Sequence, residues 1–238
     1  MTSSIEFAPG LTVQGVQPPL NLRDFKLIAF DMDSTLINIE CVDEIADAAG
    51  RKAEVAAITE AAMRGEITDY KESLRQRVAL LKGVTEEHLA HVYRSRLRLN
   101  PGAAELVLAC KAAGLKVLLV SGGFTYFAER LRDRLALDFA RSNQLEIVNG
   151  QLTGRMLDQS WGDICDGAMK KETLLRTCSL IGCSPAQAIA MGDGANDLEM
   201  MSVAGLSVAY RAKPKVRAQA KVAIDMGGLD RLLELFHA

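Results

Sequence analysis

Five short apolar runs, each closed by glycine or a polar residue, do most to restrict the fold. They are "KLIAFD" (26–31), "LKVLLVSGG" (115–123), "AIAMGDG" (188–194), "LSVAY" (206–210) and "VAIDM" (222–226). Runs of this length without polar alternation suit strands buried on both faces. Helical patterns lie between them: "NPGAAELVLACKAAG", "TYFAERLRDRLAL", "KKETLLRTCSLIG", "NDLEMMSVAG" and "LDRLLELF". Pro101 near the start of the first, and Gly114 just past its end, are sensible start and stop residues. Alternating strand and helix predicts right-handed crossovers, hence an α/β fold: a Rossmann-like three-layer α/β/α core around a mainly parallel sheet. One stretch, "LEIVNGQLTGRML", breaks the rhythm, and its Asn149-Gly150 pair predicts a small β-hairpin.

Two segments stand outside this alternation. Residues 1–25, rich in Pro, Gly and Gln, read as a loose N-terminal arm with strand character at "LTVQGV". Residues 40–99 are almost wholly helical in propensity and fall between the first two core strands. The expected organisation is therefore a core of 26–39 and 100–238 with a helical cap, 40–99, inserted after its first strand. Ligands of open parallel sheets bind beyond the carboxyl ends of the strands, so an insertion leaving that edge can cover a site there.

The first three runs end in residues with chemistry to offer. Asp31-Met32-Asp33-Ser34-Thr35 follows the first, Ser121-Gly122-Gly123 the second, and Asp193-Gly194-Ala195-Asn196-Asp197 the third; Lys170 and Lys171 open the helix before the third. If those strands are parallel neighbours, carboxylates, a serine, glycine amides and an ammonium converge on one crevice. Several carboxylates without histidine suit a hard, oxygen-seeking cation, chiefly Mg²⁺. The hydroxyl, the glycine N–H groups and the lysine suit phosphate oxygens. A carboxylate can attack phosphorus to give an aspartyl phosphate, and a second can move protons for it. Alone, each element is weak: a D-x-D pair is often a surface cluster and "SGG" a tight turn. Their order after separate strands is what carries the reading.

Composition narrows the remaining classes. The 238 residues are 49% hydrophobic and 24% charged, with net charge −2, so no basic footprint for nucleic acid is present. "YRAKPKVRAQAK" reads as a solvated helix face. No stretch approaches the ~20 apolar residues of a membrane span, and the N-terminus lacks the pattern of an export signal. Five cysteines without a C-x-x-C pair fit free thiols in a cytoplasmic protein. The only histidines are His88, His91 and His237, and His88 and His91 have no cysteine near them in sequence to build a zinc site.

The succession "DMDST", "SGG", helix-borne lysine and "GDGAND" resembles the haloacid dehalogenase superfamily of phosphotransferases, from about residue 26 to the C-terminus. Within 40–99, "INIECVDEIAD", "MRGEI" and "ESLRQRVALLKG" closely resemble the phosphoserine phosphatase family. That resemblance implies Asp31 as nucleophile and Mg²⁺ ligand, and Asp33 as general acid/base with its carbonyl on the metal. It implies Asp193 as a further ligand and Asp197 behind it. Ser121, Gly122, Asn196 and Lys170 (Lys171 as runner-up) would hold the phosphoryl group. Glu40 would read the ammonium of O-phosphoserine, Arg77 its carboxylate, and Met63 would line the pocket. The implied activity is Mg²⁺-dependent hydrolysis of O-phospho-L-serine, a small-molecule substrate, as the last step of serine synthesis. Two alternatives stay open: phosphoryl transfer from phosphoserine to an acceptor such as homoserine, and a non-catalytic module retaining the fold. "MLDQSWGDICDGAMKKE", with the sole tryptophan Trp161, is longer than the resemblance leads one to expect.

Overall fold

In the computed structural model, residues 4–63 and 66–237 are described, excluding the side chain of Met63. The chain opens with strands β1 (Ile5–Ala8) and β2 (Leu11–Val13) and reaches the first core strand, β3 (Leu27–Phe30). Helices α1 (Cys41–Ala48), α2 (Lys52–Met63), α3 (Tyr70–Ala79) and α4 (Glu86–His91) follow. The core resumes with α5 (Ala103–Ala112), β4 (Lys116–Phe124) and α6 (Thr125–Leu135). The hairpin β5 (Phe139–Val148) and β6 (Gln151–Leu157) leads to α7 (Gly167–Ile181) and β7 (Ala188–Gly192). Last come α8 (Leu198–Val203), β8 (Leu206–Tyr210), α9 (Pro214–Gln219) and β9 (Val222–Ile224).

All nine strands form one sheet in the order β1-β2-β9-β8-β7-β3-β4-β5-β6. The run β9-β8-β7-β3-β4-β5 is parallel throughout, and antiparallel pairs are confined to the two ends. Strand parity then makes the layers. Ile28 and Phe30 pack with α5 and α6 on one face, whereas Leu27 and Ala29 pack with α7, α8 and α9 on the other. Because both faces are covered, neither can be polar, which is why these strands read as unbroken apolar runs.

Some elements depart from the sequence expectation. The N-terminal arm is not loose over residues 5–13: β2 pairs antiparallel with β9, and Leu11 and Val13 are buried. Hydrogen bonds to a distant strand order a segment whose own composition signals a loop. β5 begins earlier than the hairpin pattern indicates, because its first residues pair with β4 before its second half turns to β6. Asn149 and Gly150 both have positive φ, 51° and 72°, as a two-residue hairpin turn of matching twist requires. "LDRLLELF" winds as a tight 3-10 turn over Leu229–Leu235.

β3 is the topological switch point: β4 lies on one side of it and β7 on the other, in register Phe30 to Leu119 and Phe30 to Met191. Their carboxyl ends lie side by side, where such sheets leave a crevice.

Candidate active site

Asp31 is the first residue beyond β3, and its N–H donates to the Met191 carbonyl of β7 at 2.9 Å. The next residues, Met32–Leu36, form a wide turn closed by the Ile37 N–H on the Met32 carbonyl at 3.0 Å. Ser34 takes a left-handed φ of 57° within it. Asn100 ties the turn down, its Nδ2 donating to the carbonyls of Thr35 and Ile37 at 2.8 and 2.9 Å. The turn brings Asp33 back beneath the start of α1, where its Oδ2 accepts from the Cys41 N–H at 3.3 Å.

The centre of the crevice is a buried ammonium between carboxylates. Lys170, fully buried in the first turn of α7, donates to Asp31 Oδ1 at 2.6 Å and to Asp197 Oδ1 at 2.7 Å. Asp197 Oδ2 accepts from the Gly194 N–H at 3.0 Å, so both its oxygens are committed within the protein. Gly192 is required here, since a Cβ at that position would run into the Asp197 carboxylate. Asp193 accepts from the Thr35 hydroxyl at 3.3 Å. Lys171 is only half-buried and takes no part in this centre.

From β4, the Ser121 Oγ accepts from the Gly123 N–H at 2.8 Å. Asn143 fixes the other side of this turn: it donates to the Gly122 carbonyl at 2.7 Å and accepts from the Cys165 N–H at 2.8 Å. The Tyr70 hydroxyl, from the start of α3, lies where a side chain on residue 122 would sit. Arg77 is on the same face of α3, two turns further on. Its Nε bonds only to the Ser73 carbonyl of its own helix, at 3.4 Å, and makes no bond to the acidic centre. Glu40 precedes α1, is exposed, and accepts from the Ser34 hydroxyl at 2.6 Å. Asn196 lies over Gly194, its Oδ1 close to where a Cβ on that glycine would be. The Met63 side chain lies outside the described residues.

Electrostatics follow from this crowding. Burial raises Asp31 well above the usual carboxylate range; the charges of Asp197 and Asp193 add to this, and Lys170 opposes it. Burial would pull Lys170 down, but Asp197 and Asp31 outweigh it and keep the ammonium charged. Asp33 is pushed up to about 7 by burial and then by Glu40, and Asp193 to about 6 by burial and then by Asp197 and Glu40. Asp33 Oδ1 is buried without any hydrogen-bond partner.

Oxygens of Asp31, Asp193 and Asp197 lie within 4.8 Å of one another. Three carboxylates with one ammonium leave an excess of negative charge that a divalent cation would relieve, and the all-oxygen donor set suits a hard cation. The residues therefore fit a metal. With Asp197 committed to Lys170 and Gly194, Asp31 and Asp193 are the carboxylates with oxygens to spare.

The chain matches the haloacid dehalogenase-like hydrolases over residues 25–205. It is 75% identical over 230 residues to a phosphoserine phosphatase of Polaromonas sp., covering 97% of this chain and 98% of that one. The chain belongs to the phosphoserine phosphatase family of these hydrolases. Its likeness extends to a phosphoserine phosphatase of Vibrio cholerae, 50% identical over 203 residues that span 85% of this chain and 60% of the other. Among solved structures, a substrate-bound phosphoserine phosphatase complex superposes with a TM-score of 0.81 at 37% identity, over 90% of this chain and 99% of that one. A phospho-aspartyl intermediate analogue of phosphoserine phosphatase superposes equally well, also with a TM-score of 0.81 at 37% identity and the same coverage.

Three residues of this crevice have no role in the sequence reading. Thr35 and Tyr70 look like an ordinary turn threonine and a helix aromatic. Asn143 carries the one usable signal, a polar residue within a strand that proves fully buried.

Proposed function

We propose that this chain hydrolyses O-phospho-L-serine to L-serine and phosphate through phosphorylation of Asp31. The observation that carries the reading is the pairing of Asp31, held by buried Lys170 at the switch point, with Asp33, whose Oδ1 is buried and unpartnered. Asp31 Oδ1 is tied to Lys170, which leaves its Oδ2 to attack phosphorus. The phosphoryl oxygens fall to the Lys170 ammonium, the Ser121 hydroxyl, the Gly122 N–H and the Asn196 amide.

Asp33 is the proton carrier. Raised to about 7, it is protonated in a substantial share of molecules near neutrality, and its free Oδ1 can give a proton to the departing serine oxygen. The resulting carboxylate then takes a proton from the water that attacks the phosphorylated Asp31. Mg²⁺ would be held by Asp31, Asp193 and the Asp33 carbonyl. When bound, it neutralises charge on the phosphoryl group and on the surrounding carboxylates.

Substrate reading belongs to the helical segment 40–99, which we take as the cap. Glu40 complements the ammonium of phosphoserine, and Arg77 its carboxylate in a two-pronged bond. Tyr70 on α3 closes the cap onto the phosphate turn at Gly122. Ion pairs between Lys71 and both Asp163 and Asp166, at 3.1 and 3.4 Å, hold the same helix over the loop leading to Lys170. Arg75 also pairs with Asp163, which gives the long Trp161 segment a structural role.

The test is release of inorganic phosphate from O-phospho-L-serine with Mg²⁺, with chelator, and with homoserine added. Phosphate release that needs Mg²⁺ and no acceptor supports hydrolysis; serine formed only with homoserine, as phosphohomoserine appears and without free phosphate, overturns it. Asp31→Asn should lower turnover at least about a thousandfold, since the amide is isosteric but a poor nucleophile.

A further inference from the structure

Arg141 is a half-buried arginine whose hydrogen bonds go to no carboxylate and no backbone carbonyl among the described residues. It stands in the half of β5 that pairs with β4, and it faces α7. Its Nη1 donates to the Thr173 hydroxyl at 3.2 Å and to the Met169 sulfur at 3.7 Å, and its guanidinium lies 5.1 Å from the Trp161 ring centre. Thr173 spends its own proton on the Met169 carbonyl, at 2.7 Å. No carboxylate lies within ion-pairing distance of Arg141 among the described residues. Arg75, Arg96, Arg155, Arg217 and Arg231, by contrast, all close on an Asp or Glu. Arg141 is half-buried, and burial pushes its pKa down. A half-buried guanidinium with five donors, whose two acceptors both lie on Nη1, has donors left for an anion.

The surroundings are built to supply one. Arg141 opens into a cleft of about 330 Å³ that Arg132, Arg176, Thr173, Thr177 and Asp138 also line. The single carboxylate, Asp138, is occupied by Lys116 Nζ at 2.7 Å and the Val117 N–H at 2.9 Å. Arg176 pairs with Glu172 at 2.5 Å through one nitrogen and has further N–H groups to offer, whereas Arg132 is engaged by both Glu129 and Asp133. The cleft is distinct from the acidic centre, although both use the same two elements: Asn143 follows Arg141 by two residues in β5, and Thr173 lies one turn beyond Lys170 in α7.

We propose that this cleft is a second anion site, for a small phosphorylated or carboxylated ligand, with Arg141 as its charge partner and Arg176 at its rim. The inference does not depend on the identity of the substrate.

The experiment is residue-resolved titration of the ¹⁵N-labelled chain with inorganic phosphate, and separately with citrate, against chloride at matched ionic strength. Saturable amide shifts at residues 140–142 and 173–177 are expected, separate from any at Ser121–Gly123. The probe with the tighter midpoint shows whether phosphate or carboxylate is preferred. Arg141→Met should weaken this binding at least roughly tenfold while leaving the shifts at Ser121–Gly123 in place. Arg176→Gln, at an exposed position where folding is not at risk, should weaken it about threefold. Shifts at 140–142 and 173–177 no larger than with chloride, or unchanged midpoints in both variants, overturn the proposal.

Discussion

At the scale of single residues, the different roles proposed for Asp31 and Asp33 follow from their different partners. Asp31 is bonded to a buried ammonium, whereas Asp33 has one oxygen on the Cys41 N–H and one on nothing. A carboxyl whose folded pKa lies above its unfolded value destabilises the fold once pH exceeds the unfolded value. For Asp33 that window runs from 3.8 up to about 7. Asp33→Asn removes the penalty, so the variant should be more stable than the parent at pH 8 by about 1–3 kcal/mol, a melting temperature several degrees higher. The gain should fall away as pH drops through the unfolded value and vanish at about pH 3 or below, where Asp33 is protonated in both states; thermal melts at the two pH values measure it, and an equal gain at both would refute the assignment. Arg77→Ala should cut kcat/KM for phosphoserine roughly a hundredfold and that for an aryl phosphate only a few-fold. Equal losses on the two substrates would mean that Arg77 does not read the carboxylate.

At the scale of elements, the site depends on close approach between α3 and the carboxyl-terminal end of β4. Gly122 leaves room for the Tyr70 hydroxyl, and a methyl group there would drive the two apart. Gly122→Ala is therefore expected to lower kcat/KM at least about tenfold, and adding Tyr70→Phe should recover part of the loss by removing the clashing oxygen. If the double variant is no better than the single one, the defect lies in the backbone of the turn and not in the contact with α3. Much at this scale was legible beforehand. The apolar runs became strands and Asn149-Gly150 became a hairpin turn, because turn chemistry and period are local properties. The early start of β5 and the 5–13 hairpin were not legible, because their hydrogen bonds come from strands distant in sequence.

At the scale of the whole molecule, the sheet separates stability from chemistry. Leu11, in β2, is fully buried in the core beside β9, several strands away from the crevice at β7, β3 and β4. Leu11→Ala should cost about 2–4 kcal/mol of stability yet leave kcat/KM within about twofold at a temperature where the variant is folded. A large kinetic loss without a stability loss would show that this edge is coupled to the site. No helix among the described residues is long and apolar enough to cross a membrane. Residue order alone was enough to place carboxylates, a serine and a lysine at strand and helix ends, since side-chain type and hydrophobic period are written locally. What the order could not contain is adjacency. Only packing makes β4 and β7 the two neighbours of β3, buries Lys170 in place of Lys171 between Asp31 and Asp197, and sets Tyr70 against Gly122. Those relations arise from burial and hydrogen bonding between segments far apart in the chain, and their free energy exists only once the sheet has closed.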